Sequence, residues 1–273
     1  MQTLTCDLDL STFASTRALF SGRHVYKIKS QYASMKGRKN PNAGRPTKSN
    51  ATALNDRDEE SIRKSINQSR KNLKQRFFCN FYENYTFITV TFADTEDFDI
   101  RDVKQCIEQF SRFKKRLAMH IKRQKKQAPF KCLGVIEFQD KNRNGAIHFH
   151  LASNLTSMTA KELEGVWGLG SVDLKYINGS AYTDPKIMYY LMKGIEDPRL
   201  NVLGQRFLTS HGLDKPHEKT IFNEAIFDEA VQKLKPISSQ SYTYQSPYIG
   251  EVYNEEHLFK RRKDVIYLEE LCQ

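Results

Sequence analysis

At 273 residues, the chain is long enough to hold one large domain or one domain with substantial extensions. Its 43 lysines and arginines outnumber its 32 acidic residues, and the resulting formal charge of +11 favours a polyanionic partner, nucleic acid before membrane. The five cysteines are scattered without Cys-x-x-Cys spacing, which argues against a disulfide framework and a cysteine-rich zinc site. Because the sequence has no signal-peptide pattern and no apolar run that could cross a bilayer, we expect a soluble cytoplasmic protein without membrane partners.

Residues 1–57 are predicted to form an N-terminal extension. Its first 35 residues have no firm hydrophobic period, so their structure is left open. Residues 35–50 are rich in Gly, Pro, Asn and Lys and carry almost no apolar side chain. This composition is typical of a flexible basic linker.

The middle of the chain alternates between helical and strand-like hydrophobic periods. Apolar residues three to four positions apart predict helices at 58–77 and 100–124, near 159–166, and from Asp184-Pro185 onward. Runs rich in β-branched and aromatic residues predict strands at 85–92, 132–138, 146–152 and 171–177, with a hairpin signal at Asn144-Gly145. From residue 85 the order predicts an α+β, ferredoxin-like fold: a split β-α-β-β-α-β arrangement with a central antiparallel sheet of about five strands and helices on one face.

Two histidines on the strand 146–152 are the strongest chemical signal. Residues two apart on a strand point to the same side, so His148 and His150 face one direction about 7 Å apart along the backbone. Glu137 ends the strand predicted to pair with theirs, and Asp140 is a competing carboxylate. Two imidazoles and one carboxylate with open coordination positions suit Mg²⁺ or Mn²⁺ better than structural zinc. The competing reading is an ordinary pair of surface or core histidines.

A tyrosine and a lysine follow about forty residues later. Tyr190 and Lys193 are three apart, so a helix places them side by side, and the ammonium group would favour the oxyanion of the phenol. A tyrosine activated in this way is a candidate nucleophile. Tyr189 is the competing nucleophile, but it lies about 100° around the helix and has no lysine three residues later. Both tyrosines could instead be core residues of an amphipathic helix.

Taken together, these motifs resemble the HUH endonucleases of the rolling-circle replication initiator (Rep) class, as carried by bacterial plasmids and phages. The resemblance covers residues 60–220 and rests on the strand 87–92, the segment Gly-Ala-Ile-His-Phe-His-Leu at 145–151 with Glu137, and Tyr-Leu-Met-Lys at 190–193. It implies a metal-dependent enzyme that nicks one DNA strand at an origin. It would join itself to the new 5′ end through a phosphotyrosine bond and leave a free 3′-OH as primer.

The same resemblance suggests a role for each candidate residue. Tyr190 would be the nucleophile, Lys193 would position or stabilise the active centre, and His148, His150 and Glu137 would hold the divalent metal. Some relatives carry a second tyrosine four residues after the first, whereas this chain has Gly194 there, so it is expected to use one tyrosine. The partners would be single-stranded and origin DNA, in the cytoplasm of a bacterial host.

Further expectations concern partners and domain limits. No Gly-x-x-x-x-Gly-Lys-Ser/Thr loop occurs, so unwinding would need a separate helicase, expected to be the host's, together with a DNA polymerase. Basic residues at 63–74 and 112–126 are candidates for phosphate contacts. The endonuclease domain is predicted at 58–220 and a C-terminal extension at 221–273, which could read the origin, form a homodimer or cover the core. Two alternative functions are a single-tyrosine transposase of the same superfamily and a non-catalytic DNA-binding protein.

Overall fold

The structure is a computed structural model that describes residues 15–32, 59–81, 83–124, 128–178, 186–203, 206–246 and 249–272. The linker predicted at 35–50 and the helix start predicted at Asp184-Pro185 lie outside the described residues. The chain divides into two compact units. We call them the central unit, Arg57–Lys215, and the flanking unit, Met1–Asp56 with Pro216–Gln273.

The elements of both units are as follows. The central unit contains α1 (Glu59–Asn80), β3 (Tyr85–Thr91), α2 (Val103–Gln124), β4 (Cys132–Gln139), α3 (Asp140–Arg143), β5 (Ala146–Ser153), α4 (Ala160–Trp167), β6 (Val172–Ile177), α5 (Lys186–Gly194), a 3₁₀ helix (Pro198–Val202) and β7 (Leu208–Thr209). The flanking unit contains β1 (Ser15–Ser21), β2 (His24–Ser30), β8 (His217–Thr220), α6 (Glu224–Leu234), β9 (Ser238–Ser246), β10 (Gly250–Leu258) and α7 (Arg262–Glu270).

The central unit has the predicted α+β architecture. Its sheet is antiparallel with strand order β6-β3-β5-β4-β7, and the segment β3-α2-β4-β5-α4-β6 follows the split β-α-β-β-α-β order. Strand β5, which carries both histidines, pairs with β3 on one side and β4 on the other. The histidines therefore lie in the middle of the sheet.

Helices cover both faces of this sheet, so the prediction of helices on one face was wrong. On one face, α2 and α4 bury an aromatic core around Phe149 and Trp167. On the other face, α1 and α5 pack Leu73 and Leu191 against Val135 of β4. The sequence shows the reason, because α1 and α5 each have an apolar stripe that must be buried against something. They cover only part of their face, and the rest carries the histidines.

Strands β4 and β5 form the predicted hairpin, but the connection is longer than a two-residue turn. It consists of the short helix α3 followed by Asn144 and Gly145, which both have positive φ, 51° and 83°. The register places Glu137 opposite His148 and Val135 opposite His150. Directly opposed residues of an antiparallel pair point to the same face, so Glu137 and both histidines share one face of the sheet.

A close approach fixes the start of β6. Trp167 is fully buried at the end of α4, and its indole nitrogen donates to the carbonyl of Thr91 at 2.9 Å. Gly170 follows with a φ of 153°, and a Cβ there would lie 2.5 Å from the backbone nitrogen of Ala93. Only glycine fits such a position. The Trp-x-x-Gly spacing at 167–170 therefore anchors β6 beside β3.

The flanking unit combines segments from both ends of the chain, which were predicted from the sequence to be two separate extensions. Its antiparallel sheet has the order β8-β1-β2-β10-β9, so β1 and β2 from the N-terminal part pair with strands from the C-terminal part. Helices α6 and α7 pack on this sheet around Phe20 and Phe227. Lys27 is buried in the unit, and Asp228 accepts a hydrogen bond from its ammonium group at 2.7 Å. Within the described residues of both units, no helix is long and apolar enough to span a membrane.

Candidate active site

Four of the five predicted site residues line one pocket of about 320 Å³ in the central unit, and His148 lies outside its lining. Glu137 and His150 reach it from β4 and β5, and Tyr190 and Lys193 reach it from α5. His148 is two residues before His150 on β5 and points to the same face, with 6.2 Å between the two ring centroids. The fold thus brings together residues more than fifty positions apart.

Three side chains are in direct contact at the centre of the pocket. His150 Nε2 lies 2.6 Å from Glu137 Oε2. The hydroxyl of Tyr190 donates to the same carboxylate oxygen at 2.9 Å and lies 3.1 Å from His150 Nε2. The phenol, the imidazole and the carboxylate are therefore all within hydrogen-bond distance of one another. This arrangement can move a proton to or from Tyr190.

Two residues of β3 complete the surroundings of His150, and the sequence analysis gave them no individual role. Thr89 Oγ1 lies 3.0 Å from His150 Nδ1. The ring of Phe87 is stacked on His150, with centroids 5.8 Å apart and planes at 6°, and meets Tyr190 edge-on at 6.1 Å. Both residues point to the site because they are two apart on a strand beside β5. The alternation of residues 87–92 was a signal that could have identified them.

His148 differs from His150 because its Nε2 is buried and has no hydrogen-bond partner in the described part of the chain. A buried nitrogen without a partner is costly unless something binds it. Among the described residues, no three histidine, cysteine or acidic side chains are already arranged around a common point. The donor types fit a divalent metal, and the side chains of Glu137, His148 and His150 would have to turn towards one another to hold it.

The local electrostatics keep both imidazoles uncharged at neutral pH. Burial, followed by the charges of His150 and Arg143, lowers the pKa of His148 to about 4, against a smaller opposing effect of Glu137. Burial also lowers the pKa of His150, although the hydrogen bond to Glu137 opposes this shift. Neutral imidazole is the form that binds a metal.

The hydrogen bond between Tyr190 and Glu137 shifts the pKa values of the two residues in opposite directions. Burial raises the pKa of Glu137, but hydrogen bonds from His150 and Tyr190 outweigh this effect, and its pKa lies below the usual value. Burial, together with the hydrogen bond and the negative charge of Glu137, raises the pKa of Tyr190 well above the usual value for a phenol. As placed, Tyr190 is therefore protonated at neutral pH and needs added positive charge nearby to become a good nucleophile.

The structure separates the two adjacent tyrosines. Tyr190 lines the pocket and is 41% exposed, whereas Tyr189 is 58% exposed and does not contribute to the pocket lining. Lys193 lines the same pocket as Tyr190, one helical turn further along α5. The geometry therefore brings the Tyr190–Lys193 pair to the site and leaves Tyr189 outside it.

Asp140, the competing carboxylate, has another partner. Arg199 donates to both of its carboxylate oxygens, at 2.8 and 2.9 Å, and also binds Asp197 at 2.7 Å. The guanidinium group of Arg199 lies over the ring of Phe138 at 3.7 Å. Phe138 and Asp197 line the pocket, whereas Asp140 does not. Arg199 thus connects α3 to the 3₁₀ helix and fixes one wall of the site. No sequence pattern predicted this role.

Gly194 sits where some relatives of the resembled family carry a second tyrosine, and the space there is closed. A Cβ at this position would lie 3.1 Å from the carbonyl oxygen of Ile136 and 3.1 Å from Val135 Cγ2. The end of α5 therefore lies directly against β4. A larger side chain would push the helix, and with it Tyr190, away from the sheet.

We expect Gly194→Ala to lower the free energy of unfolding by about 1–3 kcal/mol, because its methyl group would lie closer than ordinary van der Waals contact to Ile136 and Val135. Gly165 in α4 is the matched control, since nothing lies within 4 Å of a Cβ built there. Gly165→Ala should stabilise the protein by about 0.5–1 kcal/mol through helix propensity. Urea denaturation of both variants measures the difference. Equal stabilisation by both substitutions would contradict the close packing of α5 on β4.

Comparisons with known proteins point to DNA replication. Residues 85–196, less than half of the chain, match the model of a family described as replication-associated protein ORF2. The matched segment runs from β3 to just beyond α5 and includes Glu137, His148, His150, Tyr190 and Lys193, whereas Asp197 and Arg199 of the pocket wall follow it. No curated protein and no solved structure matches the chain. The central unit is therefore similar to replication-associated proteins over the part that builds the candidate site.

Proposed function

We propose that the protein initiates rolling-circle replication by nicking one DNA strand at an origin and joining itself to the new 5′ end through Tyr190. The observation that carries this proposal is the contact of the Tyr190 hydroxyl with Glu137 and His150, at 2.9 and 3.1 Å, in an open pocket. The similarity to replication-associated proteins over the same segment supports it. The formal charge of +11 suits a nucleic-acid substrate.

The proposed reaction is a transesterification. The phenol oxygen of Tyr190 attacks the scissile phosphorus, a Tyr190–O–P bond forms, and the bond from phosphorus to the 3′ oxygen breaks. Glu137 Oε2 accepts the phenol proton over 2.9 Å and later releases it to solvent, and the departing 3′ oxygen takes up a proton from solvent water to become the primer hydroxyl. Lys193 lines the same pocket, and in the proposed reaction its positive charge would help to stabilise the charge that develops on the phosphate.

A divalent metal, Mg²⁺ or Mn²⁺, is the proposed cofactor, with His148, His150 and Glu137 as the residues that would hold it. When bound, such an ion would polarise the phosphodiester. Its positive charge would also lower the raised pKa of Tyr190 and so favour the nucleophilic phenolate. Glu137 has a second oxygen, Oε1, that takes no part in the contacts with Tyr190 and His150. Proton acceptance at Oε2 and metal binding by the same carboxylate are therefore compatible.

Thr89 would orient His150 for this role. A threonine hydroxyl is both donor and acceptor, so it can bond His150 Nδ1 in either tautomer of the ring, including the one that leaves Nε2 for a metal. We expect Thr89→Val, which keeps the shape and removes the hydroxyl, to weaken Mn²⁺ binding about 10–100-fold. Thr89→Ser, which keeps the hydroxyl, should bind nearly as the parent does. Calorimetric titration measures both, and equal affinities for the Val and Ser variants would exclude this role.

The function itself is tested on a denaturing gel. Parent protein is incubated with a randomised single-stranded DNA library, with Mn²⁺ or with EDTA. A DNA-linked protein band that requires Mn²⁺ supports the proposal, and sequencing the linked DNA gives the nick site. Salt-sensitive DNA binding without any linked band would leave a DNA-binding protein that does not cut.

A further inference from the structure

A second cavity of the central unit lies away from the candidate active site. It is an open groove of about 850 Å³ between α2 and the segments around residues 129–130 and 210–211. Its floor is apolar, formed by Ala118, Ile121 and Phe130, and Lys114, Lys115 and Lys122 of α2 also line it. None of the described residues that line it is acidic. An apolar floor beside a row of cations is the composition of a site for an anion that also carries a flat apolar group.

The segment of sequence that contributes most of this groove carries positive charge only. Residues 109–136 contain nine lysines and arginines and no acidic residue. Arg112 pairs with Glu108, and Arg116 donates to carbonyls at the end of α4, so these two are already used. Lys115 and Lys122 make no ion pair or hydrogen bond within the described part of the chain. Their charges are available to a ligand.

We infer that this groove binds a segment of single-stranded DNA, with a base on the apolar floor and its phosphates on Lys115 and Lys122. A single strand is favoured over a duplex because paired bases are stacked inside the helix and would leave the apolar floor uncovered. It is favoured over a free nucleotide because a further cation, Lys131, lies beside Gly212, next to His211 of the groove. This inference rests on the proposed function for the identity of the nucleic acid.

The groove and the candidate active site lie at opposite ends of the same strand. Phe130 and Ser210 of the groove adjoin the start of β4, where the hydroxyl of Ser210 accepts a hydrogen bond from the Cys132 backbone nitrogen at 2.8 Å. Glu137 lies five residues further along β4, about 17 Å away, on the other face of the sheet. DNA bound at both places would pass around the β7 edge of the sheet. The groove would therefore hold DNA at a distance from the nick.

The charge part of the inference is tested by salt dependence. Full-length protein is titrated with fluorescent oligo(dT) in EDTA, where no covalent link forms, at several salt concentrations. For the double substitution Lys115→Gln with Lys122→Gln, we expect the slope of log affinity against log salt to fall in magnitude by about 1.4, or 0.7 per lost phosphate contact. The control pair Lys104→Gln with Lys161→Gln removes the same charge outside the groove and should leave the slope near that of the parent.

The apolar part is tested by filling the groove. Ala118 is exposed on α2, so Ala118→Leu adds volume over the floor without straining the core. We expect it to weaken oligo(dT) binding about ten-fold, the loss of one seated base, with the salt slope unchanged. Circular dichroism confirms that each variant is folded.

The outcomes separate this inference from the proposed function. Oligo(dT) binding that neither the double lysine substitution nor Ala118→Leu changes would overturn the groove as a DNA site. Binding that depends on charge but not on Ala118→Leu would also overturn it, because a base would not lie on the floor. If the groove variants weaken binding as expected while the parent never forms a DNA-linked band, the groove stands and the proposed nicking reaction fails.

Discussion

Replacing Tyr190 by phenylalanine is expected to abolish the covalent protein–DNA band and to reduce nicking by at least ~10³-fold, because the substitution removes the attacking oxygen, together with its contacts to Glu137 and His150. The ring of Tyr190 also packs against Phe87 and His150, and phenylalanine keeps these contacts. DNA binding and thermal stability should therefore stay close to those of the parent. The denaturing gel with Mn²⁺ measures the linked band, and a folded variant without the band assigns the nucleophile.

Tyr189 provides the matched control for this experiment. It precedes Tyr190 on α5, and it is exposed without contributing to the pocket lining. Tyr189→Phe removes a phenol oxygen from the same helix and should leave the linked band at full intensity. A band retained by Tyr190→Phe and lost by Tyr189→Phe would make Tyr189 the nucleophile and refute the proposed geometry.

The topology of the central unit could be predicted because its hydrophobic periods are long and its elements follow the split β-α-β-β-α-β order. Alternation at 146–152 placed His148 and His150 on one face, and the hairpin signal after β4 brought Glu137 to the same face. These inferences need only local pattern and the pairing of neighbouring strands. The position of α1 could not be predicted in this way, because a stripe of apolar residues specifies that a helix is buried but not which face of a sheet it covers.

The parts of the site that escaped prediction depend on contacts between distant segments. Arg199 fixes a pocket wall through Asp140, fifty-nine residues earlier, and nothing in the sequence near either residue signals this pair. Thr89 lies within the strand predicted at 85–92, but its contact with His150 depends on the β3–β5 register. The flanking sheet was missed for the same reason, since β2 pairs with β10 across more than two hundred residues. Long-range pairing is not encoded in any local period.

Removing the imidazole of His148 tests the metal site with the least disturbance to the rest of the protein. Its Nε2 has no hydrogen-bond partner among the described residues, so His148→Ala breaks no hydrogen bond of this nitrogen. If this nitrogen holds the ion, Mn²⁺ affinity should fall by more than about 100-fold, beyond the loss expected for a residue that only orients a ligand. The linked band should disappear, while oligo(dT) binding in EDTA should remain. Calorimetric titration with Mn²⁺ measures the affinity directly.

Asp140→Asn is the control for this metal experiment. The sequence offered Asp140 as a rival ligand, and in the structure Arg199 occupies both of its carboxylate oxygens. Its substitution should leave Mn²⁺ affinity unchanged. The opposite pattern, with affinity lost in Asp140→Asn and kept in His148→Ala, would move the ion from the Glu137–His150 contact to the α3 turn. Tyr190, whose raised pKa requires positive charge beside it, would then lack the ion that the proposed reaction needs.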